Sequence, residues 1–231
     1  MQINGIDIST YGVTTYNRDI QTAEVVTYDD WLRNAANPTF VGQKEYFKKI
    51  LITFVLKAST EQAVLENISN LIKLLEKSTI LFDNLSFYYD CILTTSKITR
   101  YVPGTQQKLE VELKSGYAYK TALTNTISSV TTLAINVPGN LATPAIVTVT
   151  VPIATISLTI NGLGRTITIN NLHANTPVTI DGELCVVTEN GVNKFAEIDM
   201  WGFPVLNPGA NTITLSSANC TVSINYKPKY I

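Results

Sequence analysis

Hydrophobic and polar residues alternate with period two along most of the chain, and a single segment breaks into helical spacing. After Ser59-Thr60-Glu61-Gln62, read as a capping box with Gln62 three residues beyond Ser59, Leu65, Ile68, Leu71, Ile72 and Leu75 recur at three and four. That stripe predicts one long helix packed by one face on a sheet. Before it, Ile50–Leu56 is apolar at nearly every position, which predicts a strand buried on both faces. After it, Ser86–Arg100 is rich in aromatic and β-branched residues. Lys108–Lys114 alternates cleanly, with Leu109, Val111 and Leu113 on one side, and Pro103-Gly104 supplies a turn between these two strands. The first half therefore predicts an α+β domain, a β-sandwich-like sheet with one long helix.

The second half predicts strands only. Ile146–Val151, Ile156–Ile160 and Thr166–Ile169 alternate, and Val178–Ile180, Leu184–Val187, Asn211–Leu215 and Thr221–Tyr226 follow as further short strands. Asn161-Gly162 with Gly164, Asp181-Gly182 and Asn190-Gly191 give turn signals. Short strands at this spacing predict a β-sandwich or jelly roll. Between the elements of the first half, Tyr28–Gln43 has no clear period and holds Tyr28, Trp31, Arg33, Pro38 and Phe40. A loop this long is uncommon unless it has a task. Two readings stay open: these residues anchor a subunit interface, where Trp, Tyr and Arg are favoured, or Trp31 plugs a core beneath its own loop.

Charge divides the chain in the same way. Residues 1–125 hold 26 charged side chains, 13 of each sign, whereas residues 126–231 hold nine, with 16 threonines and 12 asparagines in their place. The polar run at Thr124–Val130 reads as a link, so the domains expected are 1–128 and 129–231. The net charge of −1 offers no polycationic surface, which disfavours nucleic-acid binding by charge attraction. No apolar run approaches the ~18 residues of a membrane span. Met1–Asp7 lacks the basic and apolar regions of a secretory signal. Cys91, Cys185 and Cys220 are too far apart for a disulfide framework or a paired-cysteine metal site.

The chemistry on offer is sparse. The one histidine, His173, lies in a polar turn and excludes zinc sites that need two. Glu197 and Asp199 would share a strand face, as a calcium site or a glycosidase pair requires, but Asp181-Gly182 and Glu189-Asn190-Gly191 are turn chemistry. The glycines of Asn161-Gly162-Leu163-Gly164-Arg165 follow no βαβ unit and make no phosphate loop. The expectation is no enzyme, no catalytic residues, no cofactor and no metal. Met200-Trp201-Gly202-Phe203-Pro204 reads as an apolar cluster that packs, not one that stacks on a sugar.

One set of phrases points to a family. Val178-Thr179-Ile180-Asp181-Gly182, Glu189-Asn190-Gly191, Phe203-Pro204-Val205-Leu206-Asn207-Pro208-Gly209-Ala210-Asn211 and Ile224-Asn225-Tyr226-Lys227-Pro228 resemble the C-terminal domain of the distal tail proteins of long, non-contractile-tailed phages. The order of elements after Ile3-Asn4-Gly5 is similar too. The resemblance implies a galectin-like C-terminal sandwich, and an N-terminal domain that builds a hexameric ring around a DNA channel. It also implies a tail-tube protein on one side, a tail-associated hub protein on the other, and receptor-binding or baseplate proteins nearby. The implied location is the virion tail tip, after assembly in the bacterial cytoplasm. The second half has no room for the long receptor-clamping arm of some relatives. A carbohydrate-binding module and a tail tube protein are the rival readings; an esterase-like or glycosidase-like role is opposed by the single histidine. On this reading Tyr28, Trp31, Arg33 and Phe40 are subunit-interface residues.

Overall fold

The computed structural model describes residues 1–33, 36–102 and 105–231. The chain divides into two compact units, Met1–Ala118 with Ile231, and Tyr119–Tyr230. The division falls ahead of the composition break expected at residue 128. Leu123–Ser128 pairs along its whole length with Thr221–Tyr226, so this polar run is an edge strand of the second unit and not a link. Its Thr, Asn and Ser face water while Ile127 is buried, and a solvated edge strand has the composition of a linker.

In the first unit one sheet runs in the order Ile6–Asp7, Gln2–Ile3, Lys77–Leu81, Tyr88–Val102, Gln106–Tyr119, Lys48–Lys57, Val13–Ile20. The helix, Glu61–Leu75, packs against the strands Lys48–Lys57, Lys77–Leu81 and Tyr88–Val102. Its cap is Thr60, not Ser59: the Thr60 hydroxyl accepts from the Ala63 N–H at 3.2 Å. The buried stripe moves accordingly to Val64, Ile68, Leu71 and Leu75, and Leu65 points to water. Each of these four side chains contributes about 1.5–3 kcal/mol of burial. They meet Ile50, Ile52, Phe54 and Leu56 on the sheet, joined by the expected Leu109, Val111 and Leu113.

Only that face is covered. Leu51 is 36% exposed, and Thr53 and Val55 are half-buried, so Lys48–Lys57 is not buried on both sides within this chain. The helix lies on one face, and no second layer covers the other among the described residues. Pro103-Gly104, expected as a turn, lie outside the described residues.

The second unit is a sandwich of two antiparallel sheets. One has the order Leu123–Ser128, Thr221–Tyr226, Thr143–Thr150, Val178–Asp181, Val186–Glu189, Val192–Asn193. The other runs Thr132–Val137, Gly209–Leu215, Thr155–Leu163, Arg165–Leu172, Ile198–Met200. Strict alternation along Thr143–Thr150 sends Ala145, Val147 and Val149 inward. They meet Leu158, Ile160, Ile167, Ile169, Ile213 and Ile224 in one core. The helical content of this unit is a single 3-10 turn, Phe195–Glu197, among the described residues.

The turn phrases have physical causes. Asp181 Oδ1 accepts from the N–H groups of Glu183 (2.8 Å) and Leu184 (2.9 Å), which closes the bend after its strand. At Gly182 a Cβ would stand 2.5 Å from the Pro204 carbonyl oxygen and 2.8 Å from that of Ala145, so only glycine fits. Asn190 and Gly191 both take positive φ (48° and 81°), the requirement of a two-residue hairpin. The Asn161-Gly162 signal is a bulge and not the turn: the register shifts between Ile160 and Leu163, and the chain reverses at Gly164, where Leu163 faces Arg165. In the Pro208-Gly209 phrase, the Asn211 amide donates to the carbonyls of Asn207 (2.7 Å) and Gly209 (3.0 Å) and holds the entry to the strand Gly209–Leu215. Leu206 is fully buried and Phe203 packs against the core beside it.

Candidate functional site

The segment expected to be an aperiodic loop is a projecting β-hairpin. Val25–Asp30 pairs antiparallel with Thr39–Glu45, and these two strands form a sheet of their own. The hairpin grows out of the edge of the main sheet. Val13–Ile20 and Lys48–Lys57 are paired there, and the ladder continues through Gln21 N–H to the Lys49 carbonyl (2.9 Å) and Tyr46 N–H to the Glu24 carbonyl (2.8 Å). Six paired positions carry the ribbon about 20 Å further.

The ribbon lacks a core. Trp31 is 61% exposed, Phe40 64% and Tyr28 49%, so the reading in which Trp31 plugs a core is excluded. Tyr28 sits in one strand and Phe40 in the other, while Trp31 and Arg33 lie in the connection between them; Arg33 is exposed. The structure thus brings all four expected residues onto one arm. It adds Val25, Leu32 and Val41, exposed apolar residues that the sequence reading passed over. They were hidden by a register shift. Tyr28 faces Gly42 but Asp29 faces Phe40, which leaves Val41 as an extra residue and breaks the period. A two-stranded hairpin is marginal in water on its own. Together these residues make an exposed apolar surface on the arm.

In the second unit one buried polar network is engaged in structure. Lys194 is buried, and its Nζ donates to Glu197 Oε2 (2.6 Å), Glu189 Oε2 (2.9 Å) and the Asn171 carbonyl (2.8 Å). Burial pushes the Glu189 carboxyl up, but the hydrogen bonds from Lys194 and His173 outweigh it and hold the group below its ordinary range. Burial likewise opposes the charge on Lys194, and the bonds to Glu197 and Glu189 overcome it and raise that group. His173 is exposed, with Nδ1 3.0 Å from Glu189 Oε2, so it braces this network. Glu197 closes the 3-10 turn on Lys194 and does not pair with Asp199 as the sequence suggested. Among the described residues no three His, Cys, Asp or Glu side chains converge as a metal site. Cys91, Cys185 and Cys220 are free thiols.

Trp201 departs from its expected packing. It is 94% exposed, while Phe203 two residues on tucks against the core. Ile198–Met200 is an edge strand paired only with Arg165–Leu172, and the chain bends immediately after it, which turns the indole outward.

Residues 138–230 match the family model described as "Siphovirus-type tail component, C-terminal domain". None of the curated proteins compared matches the chain. Among solved structures the chain is similar to the SPP1 Dit (gp 19.1) protein, described as a paradigm of the hub adsorption apparatus in phages that infect Gram-positive bacteria. The TM-score is 0.80 at 10% identity, covering 99% of this chain and 98% of that one. It is also similar to a chain of the phage P2 baseplate in its activated conformation with calcium, with a TM-score of 0.59 at 10% identity over 95% and 92% of the two chains. The strontium form of that baseplate gives the same values.

Proposed function

We propose that this chain, whose residues 138–230 match the siphovirus-type tail component C-terminal domain, is the distal tail protein of a phage: a structural, non-enzymatic ring component of the tail tip. Six copies close into a ring with an open channel for DNA. The ring joins the tail tube on one side and the tail-associated hub on the other, with receptor-binding or baseplate proteins docked around it. The observation that carries the ring is the arm. A cyclic ring is heterologous: one patch of each copy meets a different patch on the next. A projecting element serves that geometry, and Val25–Glu45 projects from a sheet edge with its aromatic residues uncovered. The partly exposed face of the first unit's sheet around Leu51 adds further surface for a neighbour. In this reading Tyr28, Trp31 and Phe40 seat on the neighbouring copy and Arg33 lies at the polar rim.

The test is a Trp31→Ala/Phe40→Ala double variant of the full chain, followed by sedimentation velocity and circular dichroism. Truncating an interface anchor costs about 2 kcal/mol or more, roughly a 30-fold weakening each. Both side chains are exposed in the monomer, so its stability should stay within about 0.5 kcal/mol. The expected result is a folded protein that sediments as smaller species. A variant that assembles like the parent overturns the role of the arm. A parent that forms long filaments favours a tube protein instead.

A further inference from the structure

We propose that the arm of one copy seats on the second unit of the next copy, on an apolar patch formed by Leu184, Val186, Phe195 and Trp201. This site rests on the ring reading and supplies what that reading leaves open, the surface that receives the arm. In a closed heterologous ring every copy carries both halves of the contact, so the receiving patch must lie on this same chain.

Outside the arm, the exposed aromatic side chains among the described residues are Tyr16, Phe195 and Trp201. Tyr16 is already engaged, with the Lys108 ammonium 4.7 Å from its ring centroid. Phe195 and Trp201 belong to one patch that backbone contacts draw together. The Lys194 N–H donates to the Val187 carbonyl at 3.1 Å, which sets Phe195 alongside Val186. The Phe195 and Phe203 rings lie 6.2 Å apart, and Trp201 stands two residues before Phe203. The turn that carries Leu184 closes on the same segment, since the Cβ position of Gly182 is 2.5 Å from the Pro204 carbonyl oxygen. Leu184, Val186, Phe195 and Trp201 are all exposed.

Charge selects the occupant. The carboxylates of the second unit, Asp181, Glu183, Glu189, Glu197 and Asp199, all fall in the stretch that builds this patch. Four are committed locally: Asp181 to its own turn, Glu183 to Lys227 at 3.4 Å, and Glu189 and Glu197 to Lys194. Asp199 is exposed and makes no ion pair among the described residues, and it stands two residues before Trp201. On the arm Arg33 is exposed, likewise makes no ion pair among the described residues, and stands two residues after Trp31. Each surface therefore offers a tryptophan beside one unspent charge, and the two charges are opposite. Tryptophan and arginine are the anchors that dominate interface energetics, and opposite charges across a contact fix partner and register.

Cys185, an exposed free thiol between Leu184 and Val186, makes the contact directly testable. A second thiol is placed on the arm of the full chain by Leu32→Cys, and the assembled protein is treated with a short bismaleimide. Denaturing electrophoresis should show a ladder of covalent species from dimer to hexamer, which Cys185→Ser in the same background removes. In sedimentation velocity Trp201→Ala should weaken association about tenfold or more, with an unchanged circular dichroism spectrum. Arg33→Glu and Asp199→Arg should each weaken it, and the two reversals together should restore it. If the parent sediments as a ring but no ladder forms, or if Trp201→Ala assembles like the parent, the arm seats elsewhere: this site is overturned while the ring stands. Cross-links confined to single chains overturn it too. A parent that stays monomeric removes the ring, and this site with it.

Discussion

The Lys194 network allows a stability prediction to be worked from its atoms. In Lys194→Met the stem keeps its packing, but three acceptors lose their donor. Glu189, whose side chain is 14% exposed, is left facing Glu197 with His173 as its remaining ionisable partner. A hydrogen bond to a charged group contributes about 1.5–3 kcal/mol, and the buried carboxylate forfeits the middle of that range. The Asn171 carbonyl forfeits about 1 kcal/mol. The Glu197 side chain is 42% exposed and turns to water, so its loss is only a few tenths of a kcal/mol. The sum is about 3.5 kcal/mol, a large part of the ~5–15 kcal/mol of a whole domain. For a unit of this size that lowers the melting temperature by about 12 °C near neutral pH.

The effect must also depend on pH. Glu189 has its folded pKa depressed, so its contribution is present above its unfolded value and is lost as pH falls through the folded one. The difference between parent and variant should shrink as the solution is acidified below the ordinary carboxylate range. Differential scanning calorimetry of both proteins across that range reads both quantities. A variant that melts within about 2 °C of the parent near neutral pH would show that the network is ornamental and would refute the reasoning.

Two further outcomes follow from burial and close contact. Gly182→Ala drives a Cβ into the carbonyls of Pro204 and Ala145, so urea titration should show the second unit weaker by about 2 kcal/mol. In a thiol titration of the native protein Cys185, which is exposed, should react promptly. Cys91, buried and pushed up to about 12, and Cys220, buried and also raised, should react only on unfolding.

The second unit was the more legible in sequence because its strands are short, face one core and alternate strictly, as in Thr143–Thr150. Its turns were legible where side-chain chemistry dictates them, at Asp181 and at Asn190-Gly191. The bulge at Gly162 was not, because a glycine inside a strand and a glycine in a turn carry the same local signal. The arm was legible as something unusual but not as a hairpin. A register slip at Tyr28 and Asp29 destroyed the alternation, and exposed apolar residues imitate a core segment. Trp201 failed for the same reason: periodicity cannot separate an indole that packs from one that faces water at the end of an edge strand. The double-sided apolar strand Ile50–Leu56 was read as fully buried, yet one of its faces stays uncovered within a single chain. An exposed apolar face is written in sequence like a core.

The most direct test of the account is the form that the purified protein takes under the electron microscope. Class averages of the full chain should show closed six-fold rings with an open centre, six times the 25.3 kDa monomer in mass photometry. Monomers that persist at high concentration, or open filaments, would contradict it.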